Sequence, residues 1–181
     1  MKTIRKHQLM KASVKLFFFA FILFPSALVA QDDFKGFSVN LRIGPGYALQ
    51  YDTGIFLGGE VCIYRNQNIY SAEYTFLEEF RIFGEEEFVT NKVGFYYGKH
   101  WGQRWYRYQL QGGIGPVWGE RRISDIMSKY FTGGIFAKAG FKLIPFSFAA
   151  IGADIQLNIN PENPDLMLMI GLDLGKLLSP R

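Results

Sequence analysis

The chain has 181 residues, and the first 30 read as a cleavable leader, so the exported part is 31–181, 151 residues and one domain in size. That excludes a large multidomain enzyme. The formal charge of +4 comes from the leader, which holds five of the 20 Lys and Arg and none of the 16 acids; the remaining 15 bases against 16 acids exclude a basic nucleic-acid binder.

The leader comes first along the chain. A basic stretch over 1–15 precedes the apolar run 16–24; Pro25-Ser26 breaks it, and Ala27-Leu28-Val29-Ala30 places the cleavage site after Ala30. Nine apolar residues fall short of the roughly 20 that a spanning helix needs, so this is a secretory signal and not an anchor. Cys62 is the single thiol, so no internal disulfide staples the exported domain.

All 20 Gly and 26 aromatic residues lie after the leader, a composition for sheet rather than helix. In Phe37-Ser38-Val39-Asn40-Leu41-Arg42-Ile43 apolar and polar residues alternate, the period of a strand with two unlike faces. The same pattern predicts strands over 55–64, 69–77, 88–98, 105–116, 130–143, 147–158 and 166–175, eight in all. Tight turns at 65–68, 100–104 and 144–146 alternate with longer polar loops at 44–54, 78–87 (containing Glu85-Glu86-Glu87), 117–129 and 159–165. An up-and-down transmembrane barrel, with short turns at one rim and long loops at the other, has this rhythm. It puts both termini on the periplasmic side of a Gram-negative outer membrane.

The apolar face carries Leu41, Ile43, Leu57, Phe95, Leu110, Ile114, Ile151, Leu168 and Ile170 among others. An eight-stranded interior is just wide enough for side chains to fill, and so many bulky groups would crowd it. The opposite face is polar. It includes Arg42, Lys92, Arg107 and Lys138 against Glu60, Glu73, Asp154 and Asp173, a matched set of four and four. A closed interior requires such matching, because an unpaired buried charge costs several kcal/mol. The expectation is therefore a narrow, ion-paired lumen inside an apolar exterior. Tyr64, Tyr70, Trp101, Trp105 and Phe146 flank the short turns; Tyr47, Tyr51, Phe80, Trp118, Tyr130 and Phe131 flank the long loops. Both sets suit the water–lipid interface, where an aromatic ring keeps one end wet.

With these features the chain resembles the small eight-stranded outer-membrane beta-barrel proteins, the class typified by the membrane domain of outer-membrane protein A and by outer-membrane protein X. The resemblance covers the whole exported part and rests on pattern rather than on one motif. It implies a monomer embedded in outer-membrane lipid and folded by the barrel-assembly machinery. Members of the class commonly end in an aromatic residue that this machinery reads, whereas this chain ends Leu177-Leu178-Ser179-Pro180-Arg181. Ile43-Gly44-Pro45-Gly46-Tyr47 recurs loosely as Ile114-Gly115-Pro116-Val117-Trp118, four strands on, as an internal duplication would require.

Residues for catalysis are few. One Cys and one His after the leader give no metal cluster, so no metal or other cofactor is expected, and Gly112-Gly113-Ile114-Gly115 opens no phosphate loop. His100, placed in a turn, reads as a solvent or interface histidine. The leading expectation is a non-enzymatic outer-membrane barrel with an envelope-structural or surface-interaction role through its long loops, whose partner the sequence does not identify. Two alternatives stand beside it: a soluble periplasmic carrier of lipocalin type with an apolar cavity, and an outer-membrane lipid hydrolase using His100 as base.

Overall fold

The computed structural model describes residues 36–48, 53–79, 88–103, 105–123 and 126–177. The leader, the acidic run 85–87, Tyr51 and Phe80 lie outside the described residues. Eight strands follow one another: β1 (Gly36–Ala48), β2 (Thr53–Arg65), β3 (Asn68–Glu79), β4 (Phe88–Gln103), β5 (Tyr106–Ile123), β6 (Ile126–Phe146), β7 (Ala149–Ile159) and β8 (Asp165–Lys176). Each pairs antiparallel with its sequence neighbours, and β8 closes on β1. Closure leaves no free sheet edge at the barrel wall, the condition for placing strands in lipid.

The ladders fix the shape of the barrel. A circuit from Ser38 runs through Cys62, Ser71, Tyr96, Gly113, Phe136, Asn158 and Asp165 and returns to β1 at Ala48, ten residues along. Because the stagger is even, inward side chains stay inward around the circuit. A stagger of this size tilts eight strands by about 40° from the barrel axis. Strands β1, β2, β3, β7 and β8 are 11–13 residues long, enough to cross a hydrocarbon layer at that tilt.

At one rim the connections are two-residue turns. Asn66-Gln67 joins β2 to β3, with Asn66 at φ 55°, a left-handed conformation that Asn tolerates better than most residues. Ser147-Phe148 joins β6 to β7. The expected turn at 144–146 is instead the end of β6, where the register with β7 shifts between Leu143 and Phe146, and β7 begins at Ala149 rather than at 147. Pro145 sits in this shift, where no ladder donor is required of it.

At the other rim two expected loops are mostly strand. Residues 44–48 extend β1, and 117–123 with 126–129 extend β5 and β6 into a hairpin paired as far as Ile123 and Ile126. Backbone hydrogen bonding between two antiparallel strands needs no apolar alternation, so the polar run Glu120-Arg121-Arg122 is compatible with a strand once it stands clear of lipid. Pro45 and Pro116 also lie within strands, not where strands leave the ladder. Each interrupts one ladder: β1 with β8 between Ile43 and Gly46, and β5 with β4 between Ile114 and Val117. In both cases the gap faces the preceding strand, so the two short motifs occupy matching places four strands apart.

Candidate functional site

The side chains of Arg42, Glu60, Glu73, Lys92, Arg107, Lys138, Asp154 and Asp173 all point into the barrel, and each is buried. Two further charges join them that the sequence reading passed over, Lys142 and Asp165. Five buried bases thus face five buried acids among the described residues. Both additions were legible from parity, since Lys142 lies four residues from Lys138 and Asp165 eight from Asp173 on the same faces. Asp165 closes the expected loop 159–165; in the structure it is the first residue of β8.

Half-way along the lumen the charges form one cluster. Glu60 on β2 is directly paired across the ladder with Glu73 on β3, a like-charge pair that is unfavourable alone. Arg42 from β1 and Lys138 from β6 bridge it. Glu60 accepts from Arg42 Nη2, from Lys138 Nζ and, at 2.8 Å, from Asn40 Nδ2. Glu73 accepts from Lys138 Nζ at 3.0 Å, with Arg42 Nη1 at 3.5 Å. Arg42 Nη2 lies 3.2 Å from Asp154, whose other oxygen accepts from Gln109 at 2.8 Å. Lys138 reaches across the lumen from the opposite wall, its ammonium 4.3 Å from the centre of the Tyr96 ring. Two outlying pairs complete the interior: Lys142 with Asp173 at 2.8 Å toward the turn rim, and Lys92 with Asp165 at 2.6 Å toward the loop rim.

Apolar groups close the lumen on both sides of the charges. Cys62, Tyr64, Ile69, Ile144, Ala150 and Leu177 pack toward the turns. Phe56, Leu77, Phe88, Met167 and Met169 pack toward the loops, beside a second group of Tyr96, Val117 and Phe136. Above these the β7–β8 loop folds inward. Asn160 accepts from the backbone N–H groups of Glu162 and Asn163, and Asn163 Nδ2 donates to Thr90 Oγ1 on β4 at 2.9 Å. Arg121 holds Glu162 from the far side at 2.7 Å. Among the described residues the interior is thus lined by ion-paired charges and capped by buried side chains, unlike the apolar cavity that the alternative of a soluble carrier requires.

The outer wall is apolar on all eight strands. Leu41, Ile114, Ile135 and Ile151 are each about 60% exposed, far beyond what a water-soluble surface of this size tolerates as a continuous belt. Of the residues expected in the interface, Tyr70, Trp101 and Trp105 lie exposed at the turn rim, and Trp118 is half-buried on the outward face near the loop rim. Tyr64 and Tyr130 are corrections, since both share the parity of the lumen face. Tyr64 is buried under Arg107, whose guanidinium sits 4.3 Å over its ring. Tyr130 packs against Tyr96, Val117 and Phe136 and shares a 2.6 Å hydrogen bond with Thr90. His100 is likewise no surface histidine: it is buried on β4, edge-on to Tyr64 at 5.6 Å.

No protein-family model and no curated protein sequence matches this chain. Solved structures do. The N-terminal β-barrel domain of Pseudomonas aeruginosa OprF aligns with a TM-score of 0.61 at 12% identity, over 78% of this chain and 97% of that one. Neisserial surface protein A aligns at 0.61 and 10% identity, over 77% and 95%. Ail, the attachment invasion locus protein of Yersinia pestis, aligns at 0.56 and 11% identity, over 77% and 96%. The closed eight-strand topology, the apolar outer wall and these alignments agree: the chain has the fold of the small eight-stranded outer-membrane β-barrels.

Proposed function

We propose that this is a non-catalytic integral outer-membrane protein whose barrel is a solid anchor and whose working surface stands above the loop rim. The observation that carries this reading is the contrast between a lumen crossed by buried ion pairs and a protruding hairpin. Among the described residues, buried apolar side chains stand in the lumen on both sides of the charges. On the outside, β6 continues for nine residues, Ile126–Gly134, past its last partner on β7, and β5 rises with it. On this reading the chain is exported by its leader, folded by the barrel-assembly machinery and held as a monomer with both termini in the periplasm. The role is envelope-structural or one of surface interaction; two proteins of similar structure carry names that speak of a surface and of attachment, which is in line with the second. A lipid hydrolase is disfavoured, because His100 faces the interior against Tyr64 and not a lipid at the outer wall.

Membrane fractionation followed by electrophoresis with and without boiling tests the anchor. Partition that needs detergent, with a heat-dependent mobility shift, is the expected result. Trypsin applied to intact cells tests the working surface: cleavage at Arg121 or Lys129 with the rest of the barrel protected is expected. A protein that stays soluble without detergent, or a hairpin protected in intact cells, overturns the reading.

A further inference from the structure

The charges on the outer wall are divided between the two rims. Every acid described on the outer surface lies at the loop rim, where Glu162 pairs with Arg121 at 2.7 Å and Glu120 with Lys129 at 3.7 Å. At the turn rim the exposed charges among the described residues are all basic: Arg65, Lys99 and Lys176. They lie along one arc of the wall. Arg65 is ladder partner to Asn68, Asn68 to Lys99, and on the other side of β1 Lys176 is partner to Phe37.

By strand parity these three side chains point away from the barrel axis, level with aromatic rings. Lys99 lies between Tyr97 and Trp101 on the same face of β4, both exposed. Tyr97 packs in a tilted pair with Tyr70, ring centres 5.3 Å apart, and donates to Asn68 Oδ1 at 3.1 Å, which sets the polar level of that arc one residue from the turn. A long cationic side chain beside an interfacial ring extends its stem along apolar surface and leaves its head at the level of lipid phosphates. A base aimed off the end of the barrel would face bulk water; by parity these are aimed sideways, out from the wall.

From this arrangement we infer that the turn rim is a docking surface for anionic phospholipid headgroups, with Lys99 and Lys176 as its principal contacts and Arg65 between them. The inference rests on the transmembrane reading and adds the headgroup class that the adjoining leaflet presents. Its chemistry is that of phosphate oxygens accepting from ammonium and guanidinium donors, with a net negative headgroup favoured over a zwitterionic one.

The test uses the folded barrel in phosphatidylcholine vesicles with a trace of spin-labelled phosphatidylglycerol or spin-labelled phosphatidylcholine, and reads the motionally restricted fraction of each. Phosphatidylglycerol is expected to be restricted about threefold more at low salt, averaged over the boundary shell, below the roughly fivefold that one membrane-facing base gives at its own site. The preference should fade at high salt. Lys99→Gln with Lys176→Gln should bring it close to one, Lys99→Arg with Lys176→Arg should keep it, and Lys129→Gln at the loop rim should leave it unchanged. Equal restriction of the two lipids by the wild type, or a preference that survives Lys99→Gln with Lys176→Gln, overturns the inference while leaving the barrel in the membrane. Absence of any restricted lipid removes the transmembrane reading itself.

Discussion

Replacing Lys138 by Met removes the ammonium that bridges Glu60 and Glu73 and sits over the Tyr96 ring, while keeping most of the apolar stem. In the native cluster Arg42 and Lys138 face Glu60, Glu73 and Asp154, and all five side chains are at most 5% exposed. After the change Arg42 alone faces three carboxylates, two of them direct ladder partners. Stranding a buried charge in this way costs about 3–5 kcal/mol, a large part of the roughly 5–15 kcal/mol that holds a domain folded. Urea unfolding in lipid vesicles, followed by the heat-dependent mobility shift, measures it. The comparison is Glu120→Gln, whose partner Lys129 is 77% exposed; an exposed pair of that kind contributes under about 1 kcal/mol. Adding Glu60→Gln to Lys138→Met should recover about 1–3 kcal/mol, because the stranded carboxylate is then neutral. If Lys138→Met costs no more than Glu120→Gln, or if the two lumen changes simply add, the account of a buried, mutually compensated cluster is wrong.

Other consequences of the structure are open to the same assay. A Cβ on Gly113 would lie 2.6 Å from both the Tyr96 ring and the Phe95 carbonyl oxygen, and Tyr96 is tied by Gln156 at 2.6 Å; Gly113→Val should therefore cost about 1–3 kcal/mol through overpacking. Asn163→Ala removes the bond from the β7–β8 loop to Thr90, and should cost about 1 kcal/mol with faster amide exchange over 160–163; unchanged exchange would show that the loop closes the lumen without that bond. Ile114→Arg on the outer wall should cost about 2–4 kcal/mol in vesicles, whereas Ile126→Arg, at the tip of the β5–β6 hairpin and 71% exposed, should be close to neutral. Equal costs at the two sites would place the hairpin tip in lipid.

The sequence by itself determined the number of strands, their order and the direction of nearly every side chain. Alternation is a local property: once a strand forms, successive residues must point to opposite faces, so Arg42, Glu60, Glu73 and Asp154 could be assigned to one face without knowing what that face touched. Parity also held the answer for Tyr64 and Tyr130, where aromatic character near a rim misled. What only the tertiary structure decided was which charges meet. Lys138 reaches Glu60 because closure and a stagger of ten residues bring β6 opposite β2 at the same height, and no spacing along the chain encodes that distance. The height of the β5–β6 hairpin was hidden for a related reason. Outside the lipid layer neither face need be apolar, so the pairing that extends β5 and β6 is written in backbone hydrogen bonds between two segments rather than in the alternation of either one.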